Sequence, residues 1–177
     1  MNVVNVVGGG RLGQEVDLSS VYEDVNSVET EYEPETYSAL IFRLEEPEST
    51  VMLFTSGKYS LAGARSRKEA EEANHYFLSI LEPLLGSFTD TNFEIRYMVC
   101  VSDIGEELDL NQVVLTLGID ETEYEPEQFP GVFYRPAKEN WFAIIFSSGK
   151  IILNGEPNLD SLNIAFEQIK ESLSVLL

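Results

Sequence analysis

The stretch TEYEPE at residues 30–35 is repeated letter for letter at residues 122–127, 92 positions later. At the same offset, without a gap, FTSGK at residues 54–58 falls on FSSGK at residues 146–150. Self-similarity at one fixed period over this length indicates a duplicated structural unit. We therefore predict two repeats of one fold, residues 1–90 and residues 91–177, joined in one continuous structure.

Each repeat is predicted to contain an antiparallel meander. Short apolar runs follow one another with turn residues between them instead of helices, which is typical of antiparallel strands. In the first repeat these runs are residues 29–33, 37–44, 50–56 and 58–62, and the last two of the second repeat are residues 141–146 and 150–153. Pro34 restricts Glu33 to extended geometry and marks a strand boundary.

A helix is predicted to close each repeat. SRKE at residues 66–69 fits a capping box, and apolar residues at helical spacing follow it up to Pro83, where we expect the regular helix to end. The second repeat has the same stripe, starting near Asn158 or Asp160. A shorter helix, capped by Asp17 or Ser19, precedes the first meander. Helices on one side of an antiparallel sheet give an α+β fold whose other face is open to solvent or a ligand.

The segment GGGRLG at residues 8–13 matches the G-x-G-x-x-G pattern of dinucleotide-binding turns. That pattern binds a pyrophosphate only inside a βαβ unit with a parallel partner strand. The equivalent segment of the second repeat, CVSDIG at residues 100–105, keeps only the last glycine and introduces Asp103. We therefore expect a turn at these glycines and no nucleotide site.

The composition predicts a soluble globular protein that stays in the cytoplasm. The longest apolar runs are far shorter than the roughly 20 residues of a membrane-spanning helix, and the first residues lack the basic start of a signal peptide. The only cysteine, Cys100, and the only histidine, His75, exclude an internal disulfide and a zinc cluster. We expect no metal, no cofactor and no enzymatic activity.

A formal net charge of −20 opposes binding to nucleic acid at long range. Screening limits this repulsion to about 10 Å at 0.1 M salt, so the positions of the 11 basic residues decide whether a phosphate backbone is bound. The other interpretation of the acidity is solubility in a salt-rich cytoplasm.

Two aromatic pairs occupy equivalent positions of the repeats. Tyr37 and Phe54 are 17 residues apart, as are Phe129 and Phe146, and we place all four on strands. Aromatic residues in strands most often belong to a core. The alternative role is that of wedges that enter between base steps from the minor groove of DNA.

The string YEPEQFPG at residues 124–131, followed by Tyr134-Arg135, IIF at 144–146 and SGK at 148–150, resembles the second-repeat signature of the TATA-box-binding protein family, especially its archaeal members. The first repeat agrees through VNVV at 4–7, YEPE at 32–35, SGK at 56–58 and GAR at 63–65. The resemblance implies a saddle of ten antiparallel strands, with four helices on the convex side and a concave face for DNA.

The resemblance also implies the residues that contact DNA. The wedges correspond to Tyr37, Phe54, Phe129 and Phe146. The two central asparagines correspond to Asn5 and Tyr97, the apolar contacts to the sugar edges correspond to Val7 and Val99, and Asn154 replaces the usual threonine. The positions that neighbour phosphates keep Arg43, Lys58, Arg65, Arg135 and Lys150, whereas three other positions that are usually basic hold Glu48, Asn140 and Pro157.

The function implied is that of a general transcription initiation factor. Such a factor binds the A/T-rich TATA box in the minor groove and bends it, and it recruits the B-type initiation factor and, through it, RNA polymerase. The B-type factor is expected to contact the acidic loop of Glu125, Pro126, Glu127 and Gln128. Four alternatives stay open: a divergent paralogue with a regulatory role, a scaffold that binds the initiation partner without DNA, a solvated acidic turn instead of a docking loop, and a homodimer of the free chain.

Overall fold

The two repeats fold into the same order of elements. The computed structural model describes residues 1–88 and 90–177, and these residues contain ten strands and four α-helices. The first series is β1 (Asn2–Arg11), α1 (Leu18–Asp24), β2 (Glu29–Tyr32), β3 (Ala39–Glu45), β4 (Glu48–Phe54), β5 (Lys58–Ala64) and α2 (Arg67–Leu85). The second series is β6 (Glu94–Asp103), α3 (Leu110–Leu117), β7 (Thr122–Glu123), β8 (Gly131–Tyr134), β9 (Phe142–Phe146), β10 (Lys150–Asn154) and α4 (Leu159–Leu173), followed by a short 3-10 helix (Ser174–Leu176).

The chain forms two compact units. The N-terminal unit is Asn5–Arg96, and the C-terminal unit is Tyr97–Leu177 together with Met1–Val4. The strand order is β2-β3-β4-β5-β1 in the first series and β6-β10-β9-β8-β7 in the second. Neighbouring strands within each series are antiparallel. The predicted α+β class with ten antiparallel strands and four helices is confirmed.

Local side-chain caps define where the helices begin. The Asp17 carboxylate accepts hydrogen bonds from the backbone N–H of Ser20 at 3.3 Å, the hydroxyl of Ser20 at 3.1 Å and the backbone N–H of Ser19 at 3.1 Å. These bonds, above all those from Ser20, hold the pKa of Asp17 below its usual value. The Ser66 hydroxyl accepts from the N–H of Glu69 at 3.1 Å, and Asn158 caps α4. These contacts satisfy backbone donors that have no partner inside the helix.

The predicted helix end at Pro83 is wrong. Helix α2 continues to Leu85 and ends at Gly86, which has a φ of 89°. Pro83 lies in the last turn, where it removes one backbone donor and leaves the rest of the ladder intact. The N–H of Gly86 still donates to the Glu82 carbonyl at 3.0 Å. No helix within residues 1–88 and 90–177 combines the length and the apolar character needed to cross a membrane.

The predicted turn is wrong for Gly8, Gly9 and Gly10, whereas Gly13, with a φ of 79°, lies in a bend after the strand. Gly8, Gly9 and Gly10 lie inside β1, which continues to Arg11 and pairs with β5 in antiparallel register. The glycines are needed because other groups approach the backbone closely. A β-carbon at Gly10 would lie 2.5 Å from the hydroxyl of Tyr59, and one at Gly8 would lie 2.6 Å from the ring of Phe93. The antiparallel partner excludes the βαβ unit that a dinucleotide site requires.

Each unit buries one face of its strands beneath its own helices. In the N-terminal unit α2 packs on β4 and β5, and the ring of Phe77 contacts Phe42 and Tyr59 at centroid distances of 5.1 and 5.0 Å. In the C-terminal unit α4 packs on β10 and α3 on β8. Because side chains alternate along a strand, every second residue points away from these helices.

Candidate nucleic-acid interface

The strand residues that alternate with the core form a largely apolar surface in each unit, which we call the open face. Its members are only partly covered, and few of them carry charge. In the N-terminal unit they are Ile41, Thr50, Met52, Phe54, Ser60 and Ala62. In the C-terminal unit they are Val99, Val101, Phe133, Phe142, Ile144, Phe146, Ile152 and Asn154.

The four predicted wedges lie in two kinds of position. Phe54 and Phe146 are the last residues of β4 and β9, as expected. The placement of Tyr37 and Phe129 on strands is wrong, because each lies two residues before the first residue of a strand, β3 and β8 respectively. Each is held by an equivalent bond: the N–H of Tyr37 donates to the Glu33 carbonyl at 2.8 Å, and that of Phe129 donates to Glu125 at 2.9 Å. The proline-containing turn therefore sets their positions, which strand periodicity could not reveal.

The aromatic pairs differ between the units. Phe129 and Phe146 lie with ring centroids 6.0 Å apart, and Phe133 lies 5.1 Å from Phe129. In the part of the chain that the structure describes, no ring contact joins Tyr37 to Phe54, and Tyr37 is 51% exposed. Exposed aromatic rings on an open sheet face lose the most water-contacting area when a flat apolar ligand covers them.

The residues predicted to contact the base and sugar edges lie on β1, β6 and β10. The side-chain oxygen of Asn5 accepts a hydrogen bond from the N–H of Gly63 at 2.8 Å, which orients the amide and leaves its NH₂ group available as a donor. Val7 is 9% exposed and is therefore more covered than Val99, which is half-buried. Tyr97 is also half-buried, and Val99 pairs with Asn154 across β6 and β10.

The five predicted phosphate neighbours are all exposed, but their surroundings differ. Arg43 donates to the Glu31 carboxylate at 2.8 Å, and Arg135 lies 3.8 Å from Glu123 and over the rings of Phe133 and Phe142. The side chain of Arg65 shares a groove with several acidic residues, while Lys58 and Lys150 begin β5 and β10. Arg43 and Arg135 are therefore each paired with a carboxylate.

The predicted docking loop forms an exposed turn after β7. Glu125, Pro126, Glu127 and Gln128 all face solvent, and the N–H of Gln128 donates to the Glu125 carbonyl at 2.9 Å. The side-chain amide of Gln128 also donates to the Glu125 carboxylate. The turn is therefore ordered before any partner arrives.

Sequence reasoning missed most of the apolar members of the open face, including Ile41, Met52, Ile144 and Ile152. Alternation with buried neighbours along β3, β4, β9 and β10 is the signal that could have found them. It also missed two cations, Arg11 and Arg96, which lie near Lys58. No sequence pattern joins those three residues.

The buried Cys100 is poorly suited to act as a nucleophile. Burial raises the pKa of its thiol, so little of the reactive thiolate is present near neutral pH. Among residues 1–88 and 90–177 there is no group of three His, Cys, Asp or Glu side chains arranged to hold a metal ion.

Comparisons with known proteins agree with this geometry. The family model described as transcription factor TFIID (or TATA-binding protein, TBP) matches residues 1–84 and 92–176. TATA-box-binding protein C of Halobacterium salinarum is 34% identical, over 99% of this chain and 98% of its own. The TATA-box-binding protein of Archaeoglobus fulgidus is 30% identical, over 99% of this chain and 96% of its own. The structure of Methanococcus jannaschii TBP superposes with a TM-score of 0.83 at 32% identity, covering 98% of this chain and 97% of that one. The chain therefore belongs to the TATA-box-binding protein family.

Proposed function

We propose that this protein is a general transcription initiation factor that binds A/T-rich promoter DNA in the minor groove and bends it. The observation that carries the proposal is the apolar open face of each unit, with an aromatic pair at equivalent positions of the two repeats. Family membership and relatives named TATA-box-binding proteins support it. We retain residues 1–90 and 91–177 as the two functional repeats.

The chemistry of the open face favours A·T over G·C pairs. In the minor groove an A·T pair presents only acceptors, whereas G·C adds the amino group of guanine as a donor. A face of Val99, Ile144 and Ile152 offers that amino group no acceptor, so covering it costs a hydrogen bond. The oriented amide of Asn5 supplies a donor for the acceptors that remain.

The aromatic residues would supply the bend. Apolar side chains inserted at a base step unstack it and kink the duplex, at a cost of a few kcal/mol per step. Pyrimidine–purine steps such as TA unstack most easily, so wedges at Tyr37, Phe54, Phe129 and Phe146 favour sites that carry those steps. The tyrosine hydroxyl would face solvent or the sugar edge.

Exposed cations would hold the backbone of the bent duplex. We assign phosphate contacts to Arg43, Lys58, Arg65, Arg135 and Lys150, and contacts to the sugar edges and base edges to Asn5, Val7, Tyr97, Val99 and Asn154. Because Arg43 and Arg135 already pair with carboxylates, binding exchanges one anion for another and releases fewer counterions. We therefore expect affinity to fall less steeply with salt than for basic DNA-binding proteins.

We further propose that the turn of Glu125, Pro126, Glu127 and Gln128 docks the B-type initiation factor, which brings RNA polymerase. Its full exposure and internal hydrogen bonds support this role, since an ordered loop loses little conformational entropy upon binding. The protein would act in the cytoplasm, at the nucleoid, and a free chain would be able to cover its open face by forming a homodimer.

A second function is favoured by specific residues. Tyr97 replaces one of the two asparagines expected at the centre, and Glu48, Asn140 and Pro157 stand where the family usually has basic residues. These differences favour a paralogue that binds the initiation partner while contacting DNA weakly. The two functions share the docking turn and differ in whether the open face binds a duplex.

The test is a bending assay by fluorescence energy transfer on a labelled A/T-rich duplex, with a G/C-rich duplex as the control. The double variant Phe129→Ala/Phe146→Ala should lose both affinity and bending. Lys68→Gln, which changes an exposed side chain of α2, should lose neither. Binding of the B-type factor without any bending would support the second function. Equal bending by the wild type and the double variant would disprove the wedge assignment.

A further inference from the structure

Three cations converge on one groove of the N-terminal unit. Arg11, Lys58 and Arg96 line a cavity of about 390 Å³ together with the backbone of Gly9 and Gly10, and Asn92 and Glu94 complete its wall. In a chain with only 11 basic residues and a net charge of −20, such a concentration of positive charge is unexpected for a surface selected for solubility alone.

The register of the strands places two of these charges directly opposite each other. Arg11 on β1 pairs with Lys58 on β5, so their side chains leave the same face of the sheet. Like charges at directly opposed positions destabilise a sheet unless an anion lies between them. The arrangement therefore points to a ligand of negative charge.

The guanidinium of Arg11 is held in place by Asn92. The hydrogen-bond network assigns the Asn92 amide the orientation in which its oxygen accepts from Nε and Nη2 of Arg11 at 3.1 and 2.7 Å and its NH₂ group donates to Asp90 at 3.2 Å. Asn92 itself adopts a positive φ of 43°, an uncommon conformation for which asparagine is among the best suited residues. The two bonds to Asn92 use two N–H donors of the Arg11 guanidinium and leave its other donors available to a ligand.

The absence of side chains on β1 makes room for the third cation. A β-carbon at Gly9 would lie 2.7 Å from both Cζ and Nη2 of Arg96. A β-carbon at this position would therefore force the guanidinium of Arg96 to shift. The glycine run is thus explained by what lies against it and not by a turn.

The three cations have no ionic partner within the described residues, although Glu94 lies in the same wall. Arg43 and Arg135, by contrast, are paired with carboxylates. At the equivalent place in the C-terminal unit, Asp103 occupies the position of Arg11 and lies opposite Lys150 in the strand register.

We propose that this groove binds a phosphate group, and that the phosphate belongs to the backbone of the bound duplex. The proposal rests on the proposed function for the identity of the polyanion. Arg11 and Arg96 then join Lys58 in one cluster, whereas Lys150 in the other unit acts beside a carboxylate. Because the two repeats then offer unequal charge, we expect the N-terminal groove to bind the phosphate more tightly than the equivalent place in the C-terminal unit.

The test compares duplex affinity across a salt series for the wild type, Arg11→Gln, Arg96→Gln and Arg11→Lys. Each glutamine variant should bind the duplex roughly tenfold more weakly at low salt. Its slope of log K against log salt should be shallower by about 0.9, the value for one lost phosphate contact. Arg11→Lys should retain most of the affinity because it keeps the charge. Lys68→Gln removes the same charge as Arg11→Gln, but from an exposed side chain of α2, and it should match the wild type.

Circular dichroism and thermal unfolding check that each variant folds. If Arg96→Gln does not fold, the comparison of duplex affinity between Arg11→Lys and Arg11→Gln tests the groove. Glutamine variants that behave like Lys68→Gln would overturn the groove while leaving the proposed function intact. If the wild type binds no duplex, the proposed function and the duplex assignment both fail. A titration with inorganic pyrophosphate, followed by NMR at the amides of Gly9 and Gly10, then shows whether the groove binds free phosphate: a shift lost in Arg11→Gln retains the phosphate site, and no shift overturns it.

Discussion

The aromatic pairs of the two units have different neighbours. The position between the rings is Ala39 in the N-terminal unit and Gly131 in the C-terminal unit, paired with Phe54 and Phe146 respectively. A β-carbon at Gly131 would lie 3.0 Å from the ring of Phe129 and 3.2 Å from that of Phe146. The glycine therefore leaves room for both rings, whereas Ala39 places a methyl group at the equivalent position, opposite Phe54. Phe133, which packs on Phe129, is replaced by Ile41 in the N-terminal unit, so the two copies of one motif differ in preorganisation through their neighbours.

The cores of the units differ as well. In the N-terminal unit the hydroxyl of Tyr59 donates to the buried side-chain oxygen of Asn74 at 2.6 Å. The equivalent positions of the C-terminal unit, 92 residues later, are the buried Ile151 and Phe166. One core is therefore held partly by a polar pair and the other by apolar packing alone at this place.

The largest expected effect concerns the preorganised pair. Phe146→Ala should weaken binding to an A/T-rich duplex by roughly 10²-fold, because it removes a wedge and also the ring that supports Phe129. Tyr37→Ala in the N-terminal unit should cost roughly tenfold less, since its ring supports no other. Fluorescence anisotropy with both variants measures the difference. Equal losses would show that ring contact in the free protein has no bearing on wedge strength.

The next effect concerns the polar core. Tyr59→Phe leaves the Asn74 oxygen without its donor and should lower the free energy of unfolding by about 1–3 kcal/mol at pH 7. Burial raises the pKa of Tyr59 above its ordinary value of 10.0. The unfolded chain then loses this proton at lower pH than the folded one, so wild-type stability is fully present below about pH 10 and falls as pH rises further.

Urea unfolding at pH 7 and above pH 10 measures both consequences of Tyr59→Phe. The variant should show a shallower alkaline loss than the wild type, because it lacks the buried phenol. An alkaline loss as steep as that of the wild type would assign the effect to another group, such as Tyr134, whose pKa is also raised by burial.

A smaller effect is expected from exchanging charge between the units. Asp103→Arg gives the C-terminal unit the cross-strand pair of cations found at Arg11 and Lys58, and it should strengthen duplex binding about tenfold while making the salt dependence steeper. Asp103→Asn, which only removes the negative charge, should give a smaller gain. If Asp103→Arg binds no better than Asp103→Asn, cross-strand cations alone do not make a phosphate site, and Asn92 and Gly9 are essential to it.

The smallest effect concerns the glycine between the rings. Gly131→Ala should separate Phe129 from Phe146 and weaken duplex binding about threefold, since exposed rings move apart at little cost. Ala39→Gly is the matched exchange and should allow Tyr37 to approach Phe54. Nuclear Overhauser contacts between the rings report both changes directly. Unchanged contacts in Gly131→Ala would mean that the loop, and not the β-carbon, sets the ring spacing.

Sequence by itself determined the duplication, the antiparallel meander, the helix cap at Ser66 and the family, and it narrowed two other helix starts to Asp17 or Ser19 and to Asn158 or Asp160. These depend on residues near one another in the chain or on a repeated pattern, so short-range physics or direct comparison reveals them. The wedge residues and the phosphate neighbours were named from the resemblance, and they stay predictions until DNA binding is measured.

Only the tertiary structure decided which neighbours those residues meet. Glycine is needed at positions 8, 9 and 10 of β1 because Phe93, Arg96 and Tyr59 approach the backbone there, and this requirement comes from residues far away in sequence. The pairing of Arg43 with Glu31, and the grouping of Arg11 with Lys58, likewise follow from cross-strand register. Charge interactions and close packing depend on the distances between side chains. The order of residues does not give these distances until the register of the strands is known.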